Sequence, residues 1–306
     1  MPAALGEVIG AYRLVEVIGR GGMGCVYRGV HETLGRHAAL KVMQPWVAED
    51  ARYASRLRLE ATLVNGLRHP NIVDVIDFVQ TADPLRVACI MELLEGPTLA
   101  ESCAPGPLPA VQALHIAHQL AGALAAVHAR GIVHRDVNPS NVIVVAPSDA
   151  DFGAGPCVKL LDFGIAKVTD ASVSARTLTE GPVGTPAYMA PEQLAAEEAT
   201  PATDVYGLMQ ILLEMLTGRR AFAASGLALL RRKLAGVAEV ELPRAVVGRP
   251  ALEALLVAGL SGNPQERPWL DELRPRLQQL AALQKPVPPS LPVPPSLPAP
   301  PATPVS

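Results

Sequence analysis

The chain has 306 residues, 49% of them apolar, enough to bury the core of one large domain or of two lobes. A net charge of -3, from 26 basic and 29 acidic side chains, argues against nucleic acid as the main partner, because duplex binding needs a concentrated basic surface. Four cysteines, at 25, 89, 103 and 157, show neither metal-ligand spacing nor a dense disulfide framework, so a reducing, cytoplasmic setting is expected.

The opening MPAALGEVIGAY lacks a basic region ahead of an apolar core and does not read as a signal peptide. Strands are expected at 12–18, 25–30 and 38–42, with a glycine cluster between the first two. Residues 49–67 have helical composition, and Pro70 stops that helix. Two more strands are expected at 72–78 and 87–91. The character changes near 92–97, beyond which helices are expected at 110–130, 204–217, 225–235, 250–260 and 269–283. Short strands at 142–145 and 158–161 interrupt them. The stretch 111–128 is apolar, but Gln112, His115, His118 and Gln119 recur in it, so it reads as a half-buried helix and no membrane segment is expected. The pattern is that of a β-rich small lobe, 12–94, and a helical large lobe, 95–283, in a folded unit of residues 8–283. Residues 284–306 hold a run of prolines without charge or aromatics and are expected to form a disordered tail or linker. Docking of a proline-reading module is a second reading of that tail.

The first chemical motif is Gly19-Arg20-Gly21-Gly22-Met23-Gly24, with Val26 two positions on. Alone it is weak, since dinucleotide folds use the same spacing and a glycine-rich hairpin needs no function. A dinucleotide loop opens a helix, however, and here a strand follows. A strand–turn–strand flap can lay backbone N–H groups over phosphates without side-chain obstruction. Lys41 ends the strand Ala38-Ala39-Leu40-Lys41, from which it can reach a cleft. Glu60, mid-helix beside Leu57, Leu63 and Val64, is the preferred carboxylate to hold its ammonium; Glu32 and Glu49 are substitutes.

Residues 134–141 read His-Arg-Asp-Val-Asn-Pro-Ser-Asn, framed by apolar runs. Asp136 can accept a proton from an attacking hydroxyl, and Asn141 can ligate a metal through its amide oxygen. The strand ending at Leu161 leads to Asp162-Phe163-Gly164, where Asp162 is a hard oxygen ligand suited to Mg²⁺. Together Lys41, Asp136, Asn141 and Asp162 make a phosphoryl-transfer set. Asp151-Phe152-Gly153 spells the same triplet, but its neighbours have turn composition and no strand precedes it.

On these motifs, with Ala190-Pro191-Glu192 after them, the chain resembles the eukaryotic-type serine/threonine protein kinases also found in bacteria, over about residues 12–280. The resemblance implies an α+β, two-lobed protein kinase fold and ATP with Mg²⁺ as cofactors, Mn²⁺ being able to replace the metal. Protein substrates are implied as partners, and self-association would serve phosphorylation in trans. Glu60 is implied as the partner of Lys41. Met91 takes the place behind the adenine, with Ala39 and Val26 lining the site, and the backbones of Glu92 and Leu94 meet the adenine edge. Residues 184–189, Gly-Thr-Pro-Ala-Tyr-Met, resemble the substrate-docking segment of Ser/Thr kinases. Glu192 is implied to pair with Arg267, and Asp204 to tie the large-lobe helix to the catalytic loop. Arg135 is implied to grip a phosphorylated loop residue, with Thr177 and Thr179 the chosen sites.

Two departures stand out. Asn138 replaces the family's usual lysine and would donate a hydrogen bond but no charge to the transferring phosphoryl group, so Asn138→Lys is expected to raise kcat, or at least not to lower it, if the asparagine is a simple loss of charge. The same departure keeps a pseudokinase or nucleotide-binding scaffold as the alternative function, with a small-molecule phosphotransferase as a third. Gly207-Leu208-Met209 stands where the family more often has serine, leucine and glycine, which concerns helix packing.

The choice between the two Asp-Phe-Gly triplets is testable. Asp162→Asn is expected to abolish phosphoryl transfer and Asp151→Asn to leave it nearly unchanged. The reverse result in a labelled-ATP assay refutes the assignment.

Overall fold

The computed structural model describes residues 3–22, 24–49, 55, 58, 66–82, 85–146, 156–161, 185–222, 226–235 and 240–284. The first lobe is one antiparallel sheet of β1 (Val8–Ile9), β2 (Tyr12–Gly21), β3 (Gly24–His31), β4 (His37–Met43), β5 (Val75–Ala82) and β6 (Leu85–Met91), in the order β1-β2-β3-β4-β6-β5. Period-2 alternation sends Tyr12 and Leu14 of β2, Tyr27 of β3, Leu40 and Val42 of β4 and Ala88 and Ile90 of β6 to one buried layer. The helix expected over 49–67 is represented among the described residues by a short α1 (Pro45–Glu49) and by Ser55 and Arg58, both helical; Glu60 lies outside them.

The strand expected at 72–78 begins later, at Val75. Residues 71–73 instead pair with the second lobe. Leu160 N–H donates to Asn71 O at 2.9 Å, Val73 N–H donates to Leu160 O at 3.1 Å, and Ile72 bridges Leu160 in parallel. Leu160 belongs to a two-stranded hairpin, β7 (Val142–Val145) against β8 (Cys157–Leu160).

The second lobe is built on helices: α2 (Leu99–Cys103), α3 (Ala110–His128), α4 (Thr185–Tyr188), α5 (Pro191–Leu194), α6 (Pro201–Thr217), α7 (Gly226–Leu234), α8 (Arg249–Gly259) and α9 (Leu270–Leu283). The apolar composition gave no sign of α2; its capping box does, with the Thr98 side chain accepting from Glu101 N–H and the Glu101 carboxylate from Thr98 N–H. Helix α6 starts three residues before expectation, because Pro201 is pre-organised for a first turn, where its missing N–H costs nothing. Helix α3 is long and apolar enough to cross a membrane, yet it packs against α6 and α9, and eleven of its residues are buried in the lobe's core. The expected tail, 284–306, lies outside the described residues beyond Gln284.

The departure at 207–209 has a packing reason. A Cβ on Gly207 would lie 2.7 Å from Val137 O, so glycine lets α6 press directly against the catalytic loop. Met209 fills the space opened by Gly259 of α8, where a Cβ would meet the methionine Cγ at 2.2 Å. The bulk lost on one helix is supplied by the other.

Gly207→Ala is therefore expected to destabilise the fold by about 1–3 kcal/mol, the usual cost of overpacking. Gly22→Ala, with nothing within 4 Å of the added carbon, leaves the unfolding midpoint unchanged. Equal midpoints for the two variants in chemical denaturation would refute the close-packing account.

Candidate active site

Three parts converge where the lobes meet. The glycine motif is the tip of the β2–β3 hairpin, with Gly19 opposite Val26, Arg20 opposite Cys25 and Gly21 opposite Gly24. Gly22 is in the turn, and Met23 lies outside the described residues. This is a flap, not a helix-opening loop. Lys41 sits on the neighbouring strand β4, facing Val26 across one ladder and Cys89 across the other.

Beneath the flap, Ala39, Val73, Cys89 and Met91 form an apolar cluster joined by Val26, Val75, Leu93, Leu94 and Leu161. Val26, Ala39, Met91 and Leu94 were singled out from sequence; Cys89 and Leu93 flank them, and Val73, Val75 and Leu161 come from two further segments that sequence spacing cannot bring together. Glu92 beside them is held firmly. Its N–H donates to Asp74 O at 3.0 Å, and its carboxylate accepts from Asp74 N–H at 2.8 Å and pairs with Lys159 of β8. Glu92 thus spends its N–H, leaving its carbonyl for a planar polar edge such as an adenine.

The third part is the catalytic loop. Asp136 sits between two amides. Asn138 Nδ2 donates to its Oδ1 at 3.0 Å and Asn141 Nδ2 to its Oδ2 at 3.0 Å, and both also reach its main-chain carbonyl, at 3.1 and 2.9 Å. Asn138 Oδ1 accepts from Ser140 N–H at 3.0 Å and caps the 3₁₀ turn Pro139–Asn141. Both amide hydrogens and the oxygen of Asn138 are therefore committed within the loop. The expectation that Asn138 donates to the transferring phosphoryl group is corrected: it is a buried cap that fixes the Asp136 carboxylate. Asn141 spends its Nδ2 on Asp136, which leaves Oδ1 for a hard cation.

The loop rests on α6. The Asp204 carboxylate, 1% exposed, accepts from His134 N–H at 2.8 Å, Arg135 N–H at 2.8 Å and His128 Nε2–H at 2.7 Å. His134 is fully buried, receives Asp136 N–H on Nδ1 at 3.3 Å and donates from Nε2 to Leu161 O at 2.8 Å. Leu161 N–H in turn donates to Asn141 O at 2.8 Å. The end of β8 and the catalytic loop are thereby stitched edge to edge. Asp162, the triplet at 151–153, Thr177 and Thr179 lie outside the described residues.

Farther out, Arg267 meets Glu192 in a buried bidentate pair at 2.7 and 2.8 Å, and Thr203 Oγ1–H donates to the same carboxylate at 2.7 Å. Burial pushes the Glu192 carboxyl up, but Arg267 and Thr203 outweigh it and hold it below the usual range. The planar guanidinium also lies over the Tyr206 ring, 4.7 Å from its centroid.

A flap over an apolar floor, a strand lysine, and a carboxylate set between two amides form one cleft. Residues 12–275 match the protein kinase domain family. The chain belongs to that family, on its bacterial, eukaryotic-type serine/threonine branch. Serine/threonine-protein kinase Pkn1 of Myxococcus xanthus is 38% identical over 265 residues, which cover 86% of this chain and 37% of that protein. PknD of Mycobacterium tuberculosis is 35% identical, with 86% and 38% covered. The PkaA kinase of Streptomyces coelicolor is 38% identical, with 88% and 50% covered. The chain thus spans half or less of the length of these relatives. In fold it resembles the crystal structure of the Mycobacterium tuberculosis PknI kinase domain, with a TM-score of 0.65 and 26% identity over 91% of this chain and 99% of that one. The family implies use of ATP and a divalent metal, and the donor set suits both. The flap offers unobstructed main chain, Ala39 and Met91 offer an apolar face, and Asn141 offers an amide oxygen.

Sequence reasoning missed the Lys159–Glu92 pair and the His128 contact to Asp204. Both are long-range pairings of ordinary residue types, with no local signal.

The kinase domain's hold on Asp136 generates a prediction. Asn138→Asp keeps the acceptor for Ser140 N–H but sets a second carboxylate against Asp136. It is expected to lower kcat about a hundredfold, as misplacement of a catalytic group does, with the melting temperature close to wild type. Asn138→Lys removes that acceptor and is not expected to raise kcat. Steady-state kinetics of the two variants check both, and a faster Asn138→Lys enzyme would restore the simple charge-loss view.

Proposed function

We propose that this domain transfers the γ-phosphoryl group of ATP, held with Mg²⁺, to serine or threonine hydroxyls of protein substrates. The supporting observation is the Asp136 carboxylate, oriented by Asn138 and Asn141 on a loop tied to Asp204. In this reading Asp136 accepts the hydroxyl proton. Lys41, with Glu60 as its partner, and the flap of Gly19–Gly24 hold the phosphates, and Asn141 and Asp162 hold the metal. The metal supplies neutralisation of phosphate charge. The segment 184–189 docks the protein substrate beside the loop. Nothing favours a scaffold without transfer, since the residue that raised it, Asn138, serves the carboxylate.

Control by phosphorylation of Thr177 and Thr179 belongs to the same proposal. Arg135 supports it. Among the described residues its Nε is buried without a hydrogen-bond partner, and a phosphate would supply one. Self-association would allow one copy to phosphorylate another. A cytoplasmic location accords with ATP as substrate and with four cysteines joined by no disulfide.

The test is to incubate the purified domain with γ-labelled ATP, magnesium and a generic basic protein. Label is expected on serine and threonine and is expected to vanish in Asp136→Asn. Mass spectrometry is expected to find phosphate on Thr177 or Thr179, with activity falling at least about tenfold in the double alanine variant. No transfer by a nucleotide-binding protein overturns the function; an active enzyme with both threonines bare overturns the control.

A further inference from the structure

Helix α7 carries three consecutive cations, Arg231, Arg232 and Lys233. The two arginines are exposed, whereas Lys233 is 0% exposed. Its Nζ donates to Ala187 O at 2.6 Å, to Met189 O at 2.5 Å and to Gln210 Oε1 at 3.3 Å. The rings of Tyr206 and Phe222 close around it, each centroid 5.5 Å from Nζ.

The two carbonyls explain why a charge is worth burying there. Ala187 lies in the one-turn helix α4, and the residue that would continue its ladder is Pro191, which has no N–H to give. Left without a donor, a buried carbonyl costs about 1–3 kcal/mol. These carbonyls also sit beside the reacting loop. Tyr188 and Met189 share a small cavity with Arg135, Asp136, Val137 and Gly207, and Gln193 Nε2 donates to Arg135 O at 2.8 Å. Lys233 therefore grips the main chain of a segment whose other side borders Asp136. Gln210 joins the grip from below, donating to Tyr188 O at 2.7 Å.

We propose that Lys233 is a positioning residue for the protein substrate: its ammonium fixes the backbone of 187–189 against the catalytic loop, so that a docked chain presents its hydroxyl in register with Asp136. The proposal rests on the protein kinase reading and on residues 184–189 as the docking segment.

The charged form is the one that fits. An ammonium has three N–H donors for these three oxygens, and a neutral amine has two. Burial pushes Lys233 down to about 7, while Glu192 acts in the opposite direction. The groups facing it are Glu192 of α5, Tyr206 and Gln210 of α6, and Phe222 before α7, with Arg267 on the Tyr206 ring. A lysine lowered in the fold releases its proton there while the unfolded chain still holds one. The grip is then full below about pH 7 and weakens above it.

The experiment measures kcat and KM for a basic protein substrate, and the Kd of a fluorescent ATP analogue, across about pH 6 to 9. Wild type, Lys233→Arg and Lys233→Met are compared. Lys233→Met is expected to raise the protein KM about tenfold or more, as loss of a charged hydrogen bond does, with the nucleotide Kd unchanged. The wild-type KM is expected to rise above about pH 7, and Lys233→Arg, which stays charged, to flatten that rise. A folded Lys233→Met enzyme with an unchanged protein KM overturns the proposal, and where that variant fails to fold, Gln210→Leu, which removes the contact to Tyr188 O and to Lys233, takes its place with the same outcome. Parallel weakening of nucleotide and protein binding in Lys233→Met also overturns it, as it shows a scaffold role alone. A wild type that binds nucleotide but labels no protein overturns the kinase reading itself, and is told apart by that absence of label.

Discussion

A carboxylate shut away from water must find its hydrogen bonds inside the protein or lose its charge. Asp204 finds them on the catalytic loop. Its two oxygens take the N–H groups of His134 and Arg135 and the ring of His128. The arrangement matters because Arg135 stands at φ +65°, a left-handed conformation that costs an ordinary residue about 1–2 kcal/mol. The loop is bent against its own preference, and a buried anion on a rigid 17-residue helix holds it there. Asp136 leaves that bend aimed where the two asparagines meet it. Cleft, metal oxygen and β8 edge all take their places from the same anchor.

The large lobe repeats the device. Glu192, Arg267, Lys233 and Tyr206 surround the start of α6, and each charge is buried with hydrogen bonds to main chain or to its opposite. Arg267 alone joins three stretches of chain, through Ser261 O, Ala202 O and Glu192. Removing one member of such a set leaves the others charged and dry, which costs far more than the pair contributes net.

Much of this was legible in the sequence because the chemistry sits at short spacing. Asp136 and Asn141 are five residues apart, and the flap lies within six. The strand context of each motif followed from alternation, and the two lobes from the change of composition near 92–97. What could not be read is of two kinds. Asn138 was taken as a lost charge because residue type says nothing about which way an amide is turned; only its bonds to Ser140 and Asp136 do. Nothing in the sequence sets Lys233 apart from Arg231 and Arg232 beside it, which are exposed. Burial at one position in three of a helix is a property of its neighbours in space. The segment 71–73 shows the same limit: it has strand composition, but its partner is the hairpin of the other lobe.

That pairing changes the mechanics of the molecule. Residues 71–73 are bridged to the large lobe's hairpin at Leu160, although strand β5 of the small lobe's sheet begins just after them. The chain therefore crosses between the bodies before 71, again at 74 and again at 92, and the last two crossings are joined by a pair of hydrogen bonds between Asp74 and Glu92. A single tether would allow swivel about three axes. Two crossings bonded side by side stiffen this passage between the lobes against twist.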